Sequence, residues 1–228
     1  MTPPGSAHND VTSPPRQSAG RGPSVTVDRE GTVTGNTYDK YGSTNPVVKR
    51  LMAKFESTLE ELFTMAHPES LLDVGCGEGV LTQQWAPRID GRVVGIDLDD
   101  PQLHEEWKGR QAANLEYMVM KAENLPFGDD EFDVASAIEV LEHVPDPEHT
   151  VSEMARVASG HLLVSVPREP LWRGLNMARG AYLRDLGNTP GHVNHWSKRG
   201  FVQLLSLYGT VEEARSPFPW TMLLVRVA

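Results

Sequence analysis

Paired cysteines, basic clusters and long apolar runs are all missing from this chain of 228 residues, and each gap removes a class of function. The one cysteine, Cys76, excludes an intrachain disulfide and any multi-cysteine zinc or iron–sulfur site. No Lys/Arg run interrupts a net charge of −10, so the electrostatic footprint of a nucleic-acid binder is absent. No apolar run approaches the roughly 18 residues of a membrane span, and no apolar stretch of signal-peptide type stands near the start. The expectation is a soluble, cytoplasmic protein. Residues 1–36 lack Leu, Ile, Phe, Trp and Tyr altogether, yet hold five of the 17 prolines and five of the 20 glycines. Such a stretch cannot bury enough apolar surface to offset the entropy of ordering it. It reads as a disordered leader ahead of one domain, residues 37–228.

What is present begins after Asn45-Pro46, where Val47, Val48, Leu51, Met52, Phe55, Leu59, Leu62 and Phe63 recur at intervals of three and four. That spacing predicts an amphipathic helix ending near His67-Pro68. Short apolar runs then alternate with helical stretches. Leu71–Val74, Val93–Ile96, Tyr117–Met120, Val134–Ala137 and Leu162–Val166 read as strands; 79–86, 101–113, 147–158 and 197–207 read as helices. The alternation predicts an α/β fold with a parallel sheet covered on both faces. Thr210–Ala214 and Thr221–Val227, joined through Ser-Pro-Phe-Pro, read as a closing hairpin. Residues 167–196 form one long irregular region carrying Trp172, Tyr182 and Trp196, the kind of segment that serves as a lid or a substrate wall.

The first strand runs into a glycine turn, Leu71-Leu72-Asp73-Val74-Gly75-Cys76-Gly77-Glu78-Gly79. Glycines there let backbone approach a ligand and adopt positive φ. A dinucleotide fingerprint of G-x-G-x-x-G type needs a third glycine at position 80, which is Val80, so a nicotinamide dehydrogenase is disfavoured. Asp97 follows at the end of the next strand, about 20 residues beyond the first glycine, where a ribose diol would lie.

Four successive stretches, LLDVGCGEG, VVGIDLD, KAENLPFGDDEFDV and AIEVLEHVPDP, stand between residues 71 and 147, within a match over roughly 69–166. Together they resemble the class I S-adenosylmethionine-dependent methyltransferases, the last being similar to small-molecule O-methyltransferases of the quinone-biosynthesis group. The resemblance implies a Rossmann-like three-layer sandwich with a seven-stranded, mostly parallel sheet and an antiparallel last strand. It implies S-adenosyl-L-methionine as cofactor and a small-molecule acceptor, most readily a hydroxyl. Asp73 and the Gly75, Gly77 and Gly79 loop would hold the amino-acid end of the cofactor, and Asp97 its ribose hydroxyls. Leu98 would pack on the adenine, Ala122 and Glu123 would line its edge, and Glu139 would sit below the methionine. Tyr38, with Tyr41, falls where the family closes a flap over the cofactor. One departure is Lys121, where the family often has an Asp; a lysine cannot accept from the adenine amino group.

Glu139, Glu142 and His143 stand at i, i+3 and i+4, and one helical turn would point all three to one side. Three readings follow. The first is a divalent-cation site completed by a histidine of the segment Gly191-His192-Val193-Asn194-His195-Trp196, similar to the Glu-x-x-Glu-His string of RNA 3′-end methyltransferases. In the second, His143 or His195 acts as general base with no metal. In the third, Glu142 and His143 are surface residues at a strand end. The metal-free base is preferred, because a ligand from the downstream segment would have to cross a long insertion. Two rival functions remain beside small-molecule methylation. One is a metal-dependent RNA methyltransferase, opposed by the acidic body. The other is a pericyclase-like protein that retains the cofactor without transferring its methyl group.

Overall fold

The computed structural model describes residues 25–27, 33–36 and 45–228. Two short strands, β1 (Val25–Val27) and β2 (Val33–Asn36), pair antiparallel within the span read as a leader. The rest of that span, together with Tyr38 and Tyr41, lies outside the described residues.

The first helix, α1 (Pro46–Ala66), starts where its sequence dictates. The Asn45 side chain accepts from the Val47 N–H at 2.9 Å, and Pro46 occupies the first turn, where a missing N–H costs nothing. Its buried face is Met52, Phe55, Thr58, Leu59, Leu62, Phe63 and Ala66, one stripe at helical spacing, while Val47 stays exposed. Then follow β3 (Leu71–Val74), α2 (Val80–Trp85), β4 (Val93–Asp97), α3 (Pro101–Gly109), β5 (Leu115–Val119) and β6 (Phe132–Ile138). The chain continues as α4 (Pro147–Val157), β7 (Ala158–Pro167), α5 (Leu171–Ala178), α6 (Lys198–Leu205), β8 (Gly209–Arg215) and β9 (Trp220–Val227).

The seven-stranded sheet runs in the order β5-β4-β3-β6-β7-β9-β8. Strands β3 to β7 pair parallel with one another, and β9 lies antiparallel between β7 and β8. The expected architecture is therefore the observed one. Helix α1 covers one face through Leu71, Val93, Val134, Leu163 and Leu224. Residues of α4 and α6 cover the other through Leu72, Val94, Ala135, Leu162 and Leu223. Neighbouring residues of β3 thus serve opposite cores, which is why the strand reads as an unbroken apolar run. Strand order reverses between β3 and β6, so the crevice at their carboxyl ends is where this topology binds ligands.

The 167–196 segment departs from the expectation of irregular chain. It holds α5 and a single 3-10 turn, Leu183–Asp185. The helix is eight residues long and interrupted by Gly174, too short a window for periodicity to reveal.

Candidate active site

Every glycine of the loop after β3 has positive φ: +69° at Gly75, +55° at Gly77 and +78° at Gly79. Their surroundings differ. A Cβ on Gly75 would meet Val140 Cγ2 at 2.5 Å, and one on Gly79 would meet Tyr117 Oη at 2.5 Å. A Cβ on Gly77 would meet nothing within 4 Å. Gly75 and Gly79 are thus glycine for packing, and Gly77 faces open space that a side chain would fill. Beside that space stands Asp97, whose Oδ2 accepts from the Gly77 N–H and whose Oδ1 accepts from the Leu98 N–H, both at 2.7 Å. Burial pushes the Asp97 carboxyl up, and those two N–H donors pull it back toward the ionised form. A carboxylate beside an open glycine face suits a sugar diol, so these residues fit S-adenosylmethionine.

Three side chains fix the loop from outside, and sequence reading missed all of them. Trp107 Nε1 donates to the Gly77 carbonyl at 2.8 Å, Arg110 Nε to that of Glu78 at 2.8 Å, and Tyr117 Oη to that of Gly79 at 3.1 Å. The Trp107 and Tyr117 rings stack with centroids 5.2 Å apart. Only their polar edges gave a signal, an indole on α3 and a phenol on β5. Asp73 supports the loop from within. It is 3% exposed, Oδ2 accepting from the Thr82 hydroxyl at 2.6 Å and Oδ1 from that of Ser136 at 2.7 Å. Burial lifts its carboxyl from the ordinary 3.8 to about 6. Cys76 has its thiol pushed up by burial, which suits a packing role. Leu98 and, after β5, Ala122 and Glu123 are half-buried at the carboxyl ends of adjacent strands, and Lys121 is exposed.

At the end of β6 the backbone turns sharply, with Glu139 at φ +61°. Its carboxylate is held at both oxygens: Ser165 Oγ donates to Oε1 at 2.9 Å and Trp220 Nε1 to Oε2 at 2.7 Å. A non-glycine residue in this region is strained, and these bonds hold it there. The residues that follow form a turn, His143 N–H donating to Val140 O at 2.8 Å, rather than a helix. Glu139 consequently does not share a face with Glu142 and His143.

The structure instead joins Glu142 and His143 to His192, their ligand-capable atoms lying within 4.8 Å of one another. Glu142 is 2% exposed, which removes the surface-residue reading. The distant histidine arrives because residues 191–194 are strapped onto the turn. Val193 and Asn194 N–H groups donate to Glu142 O, and Asn194 Nδ2 donates to Leu141 O and Val144 O. His143 Nδ1 lies 3.0 Å from Gly191 O. A carbonyl can only accept, so Nδ1 carries a proton, and when the ring is neutral its lone pair is on Nε2. The His143 and His192 rings meet edge to face at 4.8 Å. His195 stands apart, exposed, with Nε2 at 2.7 Å from Asn188 Oδ1 and 3.3 Å from Arg173 Nη2. Burial and the Arg173 charge lower its pKa. Trp196 packs on Phe201 at 5.6 Å, in the core under α6.

The family described as "Methyltransferase domain" matches residues 72–164, the span from the glycine loop to β7. A ubiquinone biosynthesis O-methyltransferase of Pseudomonas putida is 30% identical over 162 residues, covering 62% of this chain and 67% of that protein. The chain belongs to the class I S-adenosylmethionine-dependent methyltransferases. An O-methyltransferase of Penicillium expansum is 38% identical over 96 residues, 40% of this chain and 35% of the relative, so the chain spans only about a third of its length. The crystal structure of magnesium protoporphyrin IX methyltransferase from Synechocystis, with SAH bound, superposes with a TM-score of 0.62 at 17% identity. It covers 82% of this chain and 90% of that one, a likeness of fold. S-adenosylmethionine is the methyl donor of the family, and no described helix is long and apolar enough to cross a membrane.

Proposed function

We propose that this methyltransferase moves the methyl group of S-adenosylmethionine to a hydroxyl oxygen of a small molecule, with His143 as general base. The observation that carries the reading is the contact of His143 Nδ1 with the Gly191 carbonyl at 3.0 Å. Nδ1–H is committed to the Gly191 carbonyl, so the basic lone pair is on Nε2. This histidine lies three residues beyond Val140, the side chain packed on Gly75. The acceptor proton would pass to His143 Nε2 as the oxygen attacks the methyl carbon, and the carbon–sulfur bond would break with its electron pair leaving on sulfur. When bound, the cofactor supplies a methyl already activated by positive sulfur. The chain therefore has to align and deprotonate, and alignment alone is worth several orders of magnitude. Two of the relatives are named as O-methyltransferases, which supports oxygen as the acceptor atom. The net charge of −10 supports a small molecule over a nucleic acid.

The test is a panel of hydroxylated small molecules incubated with labelled S-adenosylmethionine. Label is expected on oxygen for at least one compound, with loss of transfer in His143→Ala. Transfer to nitrogen or carbon alone would overturn the choice of oxygen.

A second reading is favoured by one observation, the convergence of Glu142, His143 and His192 within 4.8 Å. Mixed carboxylate and imidazole donors suit Mn²⁺, Fe²⁺ or Zn²⁺. In that reading activity vanishes with a chelator and returns with a divalent ion, whereas a metal-free base is indifferent to the chelator.

A further inference from the structure

Between α1, α5 and the start of β9 lies a cavity of about 130 Å³, walled by Leu51, Met52, Trp172, Leu175 and Trp220, with Asn176 among its lining. An apolar cavity of about 150 Å³ is enough to hold benzene, so the volume here suits a single ring. Asn176 is the informative residue, because it is 2% exposed and polar. Its Nδ2 donates to Gly187 O at 2.7 Å and to Thr189 Oγ1 at 3.1 Å. The Gly187 carbonyl can only accept, which fixes the orientation of the amide. Trp172 Nε1 also donates to Thr189 Oγ1, at 2.9 Å, locking the same wall. That leaves Asn176 Oδ1 as an acceptor to which none of the described residues donates. Asn176 lines the cavity, so a ligand donor there would satisfy this acceptor.

The two tryptophans connect this cavity to the rest of the site. Trp220 holds Glu139 through Nε1, and the Trp172 ring lies 6.2 Å from that of His192, nearly parallel to it. A molecule lodged here would be one indole away from both groups. We propose that the cavity is the acceptor's anchoring subsite. It takes one aromatic or similarly flat apolar ring carrying a non-reacting hydroxyl or N–H, which donates to Asn176 Oδ1. Asn176 then determines specificity by rejecting rings that lack a donor. Its assignment to the acceptor rests on the methyl-transfer reading; the binding of a ring does not.

The experiment therefore separates the two. Phenol and toluene, alike in size and differing in the hydroxyl, are titrated into the full chain without cofactor and followed by ligand-detected NMR. Phenol is expected to bind severalfold, up to about tenfold, more tightly, the usual scale of one neutral hydrogen bond. Asn176→Leu should erase that difference. Because Asn176 also ties Gly187 and Thr189, a second variant keeps the network intact: Leu51→Phe narrows the cavity from α1 and should weaken phenol binding. Equal affinity for phenol and toluene in the parent protein, or phenol binding indifferent to Leu51→Phe, overturns the proposal. Methyl transfer to an identified acceptor that is unchanged in Leu51→Phe overturns the anchoring role. Binding as expected, with no methyl transfer to any hydroxylated compound, removes the methyl-transfer reading and leaves the ring site standing.

Discussion

The two halves of the crevice are built by different means. On the β3–β4–β5 side, one short loop supplies three glycines within five residues and side chains of later elements fix it: Trp107, Arg110 and Tyr117 grip its carbonyls, and Asp73 braces it through Thr82 and Ser136. On the β6–β7–β9 side, the functional groups come from far apart, His143 meeting His192 and Glu139 meeting Trp220. A cofactor shared by a whole family is served by a local, repeating pattern. Under the proposed function the acceptor is served by the 167–196 segment, and its site is assembled only by the fold.

That contrast has consequences that can be measured, the largest on the acceptor side. His143→Ala should lower turnover by about 10²–10⁴, the usual range for a lost general base, with S-adenosylmethionine affinity intact. His195→Ala should change turnover by less than about threefold, because its ring lies outside the cluster, and a drop like that of His143 would move the base to His195.

Next come the glycines, whose replacements should separate into folding and binding defects. Gly79→Ala forces a methyl group onto the Tyr117 ring in a positive-φ backbone, and about 2–5 kcal/mol of stability should be lost. Gly77→Ala meets no neighbour, so it should cost only about 1–2 kcal/mol of stability while cofactor affinity falls. Denaturant midpoints and calorimetric titrations distinguish the two. Identical profiles for both variants would mean that the space beside Gly77 is not the cradle.

Asp73 offers a pH signature of the braced half. Its folded carboxyl titrates near 6 against an ordinary 3.8, so folding favours the protonated form. This group takes nothing from stability below pH about 4 and its full penalty, about 3 kcal/mol, above pH about 6. Asp73→Asn should therefore leave stability nearly unchanged at pH 4 and raise it relative to the parent protein at pH 7. Parallel stability curves for the two proteins across that window would contradict the buried carboxyl. The smallest effect belongs to Trp107→Phe. It removes one hydrogen bond to the Gly77 carbonyl and keeps the ring stack, costing about 0.5–1.5 kcal/mol, read as a severalfold loss of cofactor affinity.

The same contrast governs what the sequence could reveal. The glycine loop, Asp97 and the strand run from Leu71 to Val166 were legible because apolar periodicity and glycine placement are local properties. The parallel sheet followed once the alternation was seen, whereas its order, β5-β4-β3-β6-β7-β9-β8, emerges only in the fold. His192 was one of two histidines in a candidate segment, and nothing in the spacing chose between it and His195. The choice depends on Asn194 strapping that segment to Leu141 and Val144, a tertiary contact. Glu139 was grouped with Glu142 and His143 on the assumption of a helical turn, and the positive φ at Glu139 breaks that grouping. Trp220 and Asn176 were missed for a similar reason. One stood between the Ser-Pro-Phe-Pro turn and the strand read from Thr221, the other in the segment read as irregular, and only packing brings them to one cavity.

The central claim is that the open glycine face and Asp97 together hold S-adenosylmethionine, and a calorimetric titration of the cofactor into the parent protein and into Asp97→Ala tests it most directly. Charge-assisted hydrogen bonds of this kind contribute about 1.5–3 kcal/mol each, so the variant should bind at least about tenfold more weakly while its thermal unfolding remains cooperative. Equal affinity in the two proteins would contradict the account.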